Sequence, residues 1–273
     1  MKEKQIRVRN GQVSINYLQS GDGDTTILFL HGWCVSSKYW TNQLSHLSGY
    51  RCYAIDLPGF GKSEAKREHW TIEEYALDAL AFINELQLEN VVVVGHSMSG
   101  AIMMEMALTK PDSIIGLVGI DNFKFVDVEF TAEQLEQMGS FFPLLEQDFQ
   151  TYAPMYAENM LFHPSTTEEV KSRVKLDFST ANPGIGYSSF MNLMQYSQQE
   201  RIKLESLPLK LNLINTNFPP TNESGLKKRC KNGFEVQPIE LSGHYPMIER
   251  PDLFNNILEK TLQEILAPEM AQQ

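Results

Sequence analysis

The chain has 273 residues, of which 42% are hydrophobic, 10% aromatic and 21% charged, enough apolar material for a sizeable core and without the bias of disordered or collagen-like sequences. Its 23 basic and 34 acidic residues give a formal charge of −11, which repels phosphate backbones and anionic lipid headgroups, so neither nucleic acid nor a membrane surface is an expected partner. Three cysteines (Cys34, Cys52, Cys230) without a C-x-x-C spacing, no secretory h-region in the first residues and no apolar run of ~18 residues lead us to expect reduced thiols in a cytoplasmic protein that holds no metal.

In chain order, QIRVR (5–9) and QVSINYL (12–18) alternate apolar and polar residues around Asn10-Gly11 and predict a β-hairpin at a sheet edge. TTILFL (25–30), RCYAID (51–56), VVVVG (91–95), IIGLVGI (114–120) and LKLNLIN (209–215) are shorter and more uniformly apolar, as expected of central strands covered on both faces. A capping box at Thr71 and Glu74 opens a helix with Ile72, Ala76, Leu80 and Ile83 on one face. Residues 122–205 break the alternation, with helix starts at Thr131/Gln134, Ser165/Glu168 and Pro183-Gly184 but no strand. Their apolar residues include Phe141, Phe142, Met155, Tyr156, Met160, Phe190, Met191 and Met194, enough for a small core or a pocket lining. FEVQPIEL (234–241) reads as the last strand, and Pro251 opens a final helix carrying Leu253, Ile257, Thr261 and Ile265. The fold class expected is α/β, a doubly wound and mostly parallel sheet formed by residues 1–121 and 206–273, with residues 122–205 inserted as a helical cap.

The stretch VVVVGHSMSG (91–100) ends an apolar strand in Gly95-His96-Ser97-Met98-Ser99 and leads into the apolar helix AIMMEMAL. A sharp strand-to-helix turn between small residues lifts a serine hydroxyl above the sheet, which is the arrangement of a nucleophile elbow. Ser97 is therefore the candidate nucleophile, although Ser99 stands where such turns usually carry glycine. A serine hydroxyl needs an imidazole to accept its proton and a carboxylate to orient that imidazole. Of six histidines, His244 in LSGHYPMIERP follows the final strand in a Ser-Gly loop and is the candidate base. His96 is expected to point away, and His46, His69 and His163 to face solvent. LFLHGW (28–33) ends a strand in His-Gly, so that the amides of Trp33 and Met98 can form a two-donor oxyanion hole.

Together LFLHGW, DLPGFGKS (56–63), GHSMSG and GHYPMIERP, in that order, resemble the α/β-hydrolase superfamily of lidded serine hydrolases and esterases, over nearly the whole chain. The resemblance implies a catalytic acid after the strand that precedes the histidine loop, but LNLINTNFPPTN (211–222) contains neither Asp nor Glu, and Asn217 stands near the expected place. Some members carry the acid one core strand earlier, which points to Asp121 at the end of IIGLVGID, with Asp127 as a distant second. GFGKS is not a phosphate loop, because Asp56 occupies the position of its first glycine. Gly21-Asp22-Gly23 lacks the third glycine of a dinucleotide site, Asn222-Glu223-Ser224 has no secretory context for glycosylation, and Cys34 reads as a small buried residue. The expected function is hydrolysis of a small to medium hydrophobic ester through an acyl-enzyme, with a small-molecule substrate and no cofactor. Rival expectations are carbon-carbon bond, lactone or amide hydrolysis or perhydrolysis on the same apparatus, and a slow-turnover small-ligand receptor or regulatory protein. Haloalkane dehalogenases and epoxide hydrolases attack with a carboxylate, against which Ser97 argues.

Overall fold

The run of valines that precedes the elbow occupies the middle of the molecule. In a computed structural model describing residues 1–109 and 112–267, β6 (Val91–His96) is buried along its whole length. It pairs in parallel with β3 (Thr26–Leu30) on one side and β7 (Ile114–Ile120) on the other. β4 (Arg51–Ile55) continues the parallel sheet beyond β3, and β8 (Leu211–Thr216) and β9 (Phe234–Ile239) continue it beyond β7. Strands buried on both faces have no need to alternate, which is why their sequences read as continuous apolar runs.

The far edge is antiparallel: β1 (Lys2–Val8) pairs with β2 (Val13–Ser20), β2 with β4, and the two-residue β5 (Glu64–Ala65) joins β2. The hairpin turns through Arg9, Asn10 and Gly11, all with positive φ, and so registers Val8 opposite Val13. The order across the sheet is β1-β2-β4-β3-β6-β7-β8-β9, with β5 off this path.

Two helical groups flank the sheet: α1 (Thr41–His46) packs with α10 (Pro251–Leu266), and α2 (Ile72–Glu85) packs with α3 (Met98–Leu108). At the start of α2, Thr71 Oγ1 accepts the Glu74 amide at 3.2 Å. The return half of that capping box is missing, because the Glu74 carboxylate is held by Arg9 and Arg67. The box at Thr131 and Gln134 is made in both directions.

Between β7 and β8 the chain forms α4 (Ala132–Gln147), α5 (Phe149–Met160), α6 (Glu168–Thr180) and α7 (Pro183–Glu205), with no strand among the described residues 122–205. The third helix is capped by Thr167 rather than Ser165, whose hydroxyl is engaged with His163 Nδ1 and the Leu241 carbonyl. Trp33, just after β3, sends its ring up into these helices, against Phe149, Phe178 and Phe190, and its indole N–H donates to the Gly186 carbonyl at 2.9 Å. The inserted helices are thereby pinned over the carboxyl ends of the central strands. Phe190 is buried and Phe141, Phe142, Tyr156, Met191 and Met194 are partly so, whereas Met155 and Met160 lie on the outer side of α5 in solvent. α7 is tied to α3 by the Tyr196 hydroxyl and the Lys203 ammonium, both bonded to Glu105. Short α8 (Glu223–Arg229) and α9 (Pro246–Glu249) are the remaining α-helices among the described residues. No described helix is long and apolar enough to cross a membrane.

Candidate active site

The turn after β6 is strained at Ser97. Ser97 has φ 53° and ψ −118°, a left-handed backbone that a non-glycine residue adopts only when its surroundings enforce it. Enforcement comes from two sides: the Ser97 amide donates to the Ile120 carbonyl at 3.0 Å, and the Ser97 carbonyl accepts the Gly100 amide at 2.8 Å. A Cβ on Gly95 would run into the backbone carbonyl of Ser99, so position 95 must be glycine. The Ser97 hydroxyl does not cap α3 and is partly exposed. Ser99, the departure from the usual pattern, is fully buried and donates its hydroxyl to the His31 carbonyl at 2.5 Å, tying the elbow to the loop after β3.

That loop lies directly on the elbow. A Cβ on Gly32 would sit 2.7 Å from His96 Nδ1 and 3.2 Å from Ser97 Cβ. His31 accepts the Leu57 amide at Nε2 (2.8 Å), which assigns the proton to Nδ1, bonded to the Gly32 carbonyl at 2.7 Å. Burial lowers the His31 imidazole below its ordinary value, so the ring serves as a neutral brace. Among the described residues, the amides of Trp33 and Met98 have no hydrogen-bond acceptor, which leaves both as uncommitted donors beside Ser97. The DLPGFGKS turn is organised by the Asp56 carboxylate, which accepts the amides of Ser37 and Lys62 and the side chain of Asn16.

Of the three positions weighed for the acid, the one whose side chain meets His244 is Asp121, at the end of β7. Pairing of Ile120 with Ile214 places Asp121 next to Thr216, and Asp121 Oδ1 accepts both the amide and the hydroxyl of Thr216 at 2.9 Å. Its other oxygen, Oδ2, accepts Nδ1 of His244 at 2.6 Å. Asn217 is turned outward and donates to Glu240, while Asp127 is paired with Lys228 and Arg229, so neither reaches the imidazole. A further cation, absent from our reading of the sequence, completes the arrangement: Lys124 Nζ is 2.5 Å from Asp121 Oδ1. Burial by itself would raise the Asp121 carboxyl, but the hydrogen bond and charge of His244 and the ammonium of Lys124 outweigh it and hold the group below its ordinary value. Burial lowers the Lys124 ammonium, with Asp121 opposing the shift.

His244 is held from three directions. Its amide donates to the Leu161 carbonyl at 2.8 Å, its carbonyl accepts His96 Nε2–H at 2.7 Å, and Glu249 accepts the flanking amides of Gly243 and Tyr245. His96 thus differs from the expectation that it faces away: its ring lies 4.7 Å from that of His244, tilted by 49°, and burial holds it far below its ordinary value and therefore neutral. His46 and His69 are exposed and His163 is half-buried. Ser97 Oγ makes no hydrogen bond among the described residues, so the link from Ser97 to His244 is open in this structure. Among the described residues, no group of three or more His, Cys, Asp or Glu side chains could hold a metal ion.

The sequence matches the family model described as alpha/beta hydrolase fold over residues 25–251. The chain belongs to the alpha/beta hydrolase fold family. Within that family it is 21% identical over 260 residues to the karrikin insensitive 2 receptor CA of Petunia hybrida, covering 90% of this chain and 95% of that one. A 30% identical stretch of 116 residues matches the dihydrolipoyllysine-residue acetyltransferase component of an acetoin cleaving system from Cupriavidus necator, but this covers 42% of the chain and only 31% of that relative. Among solved alpha/beta hydrolase structures, a thermophilic esterase from Thermogutta terrifontis superposes with a TM-score of 0.79 at 19% identity, covering 97% of this chain and 99% of that one. The chain is thus similar to a receptor, a transferase component and an esterase alike, so the chemistry must be argued from the site.

Proposed function

We propose that this alpha/beta hydrolase fold protein is a serine hydrolase acting on a small to medium hydrophobic carboxylic ester. The single observation that carries the reading is the 2.6 Å bond from His244 Nδ1 to a buried carboxylate, in a fold whose elbow serine has its backbone forced out of the ordinary regions. Accepting at Asp121 fixes the imidazole proton on Nδ1 and leaves Nε2 as the base. In the reaction Ser97 Oγ attacks the ester carbonyl as Nε2 takes its proton, and the amides of Trp33 and Met98 receive the oxyanion. The tetrahedral intermediate expels the alcohol, protonated by His244, and leaves an acyl-Ser97 that water hydrolyses by the same steps. Trp33 supports an apolar substrate, since its ring continues into the aromatic cluster of Phe149, Phe178 and Phe190 beside the proposed oxyanion donors. The three free, buried cysteines are compatible with a reducing, cytoplasmic setting.

The test is steady-state hydrolysis of nitrophenyl esters of graded acyl length by wild type and Ser97→Ala. Loss of turnover in a variant of unchanged thermal stability is expected, and undiminished activity refutes the nucleophile. Similarity over 90% of this chain to the karrikin insensitive 2 receptor CA supports one second reading, a slow-turnover receptor for a small apolar ligand. A stoichiometric burst of product followed by negligible turnover would distinguish it.

A further inference from the structure

Lys124 is 6% exposed and is the one lysine or arginine among the described residues that is buried. It reaches this position because the loop after β7 curls: Asp121 and Phe123 both have positive φ (49° and 53°), which brings the amine of residue 124 back onto the carboxylate of residue 121. Its ammonium contacts Asp121 Oδ1 at 2.5 Å and donates to Thr216 Oγ1 at 2.9 Å and the Phe218 carbonyl at 3.4 Å. A cation this deep persists only against a partner, and a Met or Leu side chain of similar length would carry no desolvation cost at all. Packing therefore does not account for it.

We propose that Lys124 is a positioning residue of the triad, whose ammonium offsets the charge of Asp121 and so weakens the grip of that carboxylate on a protonated His244. The inference rests on the serine hydrolase reading. Both oxygens of the acid are committed, Oδ2 to the imidazole and Oδ1 to Lys124 and Thr216. A lone buried carboxylate stabilises an adjacent imidazolium by its full charge, whereas a carboxylate already paired with an ammonium presents a nearly neutral couple. Removing the ammonium should therefore strengthen the carboxylate's hold on the protonated ring.

The other groups around the pair do not compete for this role. On the β6 side His96 is neutral; from α9, Glu249 is consumed by the amides of Gly243 and Tyr245; the Tyr245 phenol is buried and un-ionised; and His163, from the inserted helices, bonds to Ser165. Beyond Lys124, Asp127 is neutralised by Lys228 and Arg229, and β8 offers only the uncharged Thr216 and a carbonyl.

The experiment compares Lys124→Met, Lys124→Gln and Lys124→Arg with wild type, after circular dichroism establishes folding. The acid limb of kcat/KM against pH for a nitrophenyl ester is expected to move upward by about one unit in Lys124→Met and Lys124→Gln, the size of effect a neighbouring unit charge exerts, and to stay in place in Lys124→Arg. The His244 imidazole, followed by nitrogen NMR in uniformly labelled protein, should change its signal over the same displaced pH range. An unmoved limb and unmoved NMR transition in either neutral variant overturn the proposal, as does an Arg variant that moves as far as the neutral ones. Labelling of wild-type Ser97 by a fluorophosphonate keeps the two readings apart: its absence removes the serine hydrolase, while the NMR titration still decides the role of Lys124.

Discussion

Replacing Asp121 by asparagine tests the site most sharply, because the structure dictates which way the new amide must face. Three donors converge on Oδ1 (the Thr216 amide, the Thr216 hydroxyl and the Lys124 ammonium), and one, His244 Nδ1, on Oδ2. Asparagine offers one accepting oxygen and one donating nitrogen. The oxygen takes the side with three donors, so the NH₂ group faces His244. An imidazole opposite a donor must present a bare Nδ1 and carry its proton on Nε2, the nitrogen that has to accept from Ser97. The tautomer is then wrong and the imidazolium unsupported, a combination that costs about four orders of magnitude in kcat, or roughly 5.4 kcal/mol at about 1.36 kcal/mol per decade. Ester hydrolysis under saturating substrate measures the loss directly, with circular dichroism to establish folding, since the variant leaves Lys124 buried without its anion. Asn217→Ala is the paired control and should act like wild type, its side chain being exposed and bonded only to Glu240. A drop of less than tenfold in Asp121→Asn, or an equal drop in Asn217→Ala, would show that the carboxylate orienting His244 is not this one.

Other expectations follow from the same contacts. Ser99→Ala strands the buried His31 carbonyl and should lower unfolding free energy by about 1–3 kcal/mol in urea titration; unchanged stability would mean that the Ser99 hydroxyl bond does not tie the two loops together. Gly32→Ala inserts a methyl group 2.7 Å from His96 Nδ1 and 3.2 Å from Ser97 Cβ. Displacing one oxyanion donor in this way should reduce kcat by about 10²-fold or more, and wild-type kinetics would place the donor elsewhere. The depressed Asp121 carboxyl stabilises the fold fully above its ordinary value of about 3.9 and loses that contribution as pH falls through the lower folded-state value. Thermal unfolding followed downward from pH 6 should therefore steepen less in Asp121→Asn than in wild type, and parallel curves would contradict the assigned shift.

Much of this was legible from short-range pattern. Apolar runs at 25–30, 51–56, 91–95, 114–120 and 209–215 became the parallel strands, because a strand shielded on both faces selects β-branched and aliphatic residues by itself. The turn at Asn10-Gly11, the cap at Thr131 and the first proline of α10 follow from local backbone preferences in the same way. Helix starts failed where a polar side chain had a better offer from a distance, as at Ser165, whose hydroxyl bonds across to the loop after β9. Glu74 likewise turns from its own helix end to Arg9 and Arg67.

The residues around the triad divide along the same line. Ser97 and His244 could be singled out as candidates because strand-to-helix and strand-to-loop turns carry their signature within about ten residues. The sequence alone left three places for the proposed acid, and the register of β7 against β8 sets one of them, Asp121, beside Thr216, 95 positions away, with its free oxygen toward a histidine 123 positions away. The contacts of Lys124, His96 and Ser99 came from the same source. Backbone propensity and hydrophobic period are properties of a segment, so they can be read from the segment; a hydrogen bond between side chains on different strands depends on the lateral alignment of the sheet, and only the folded chain has one.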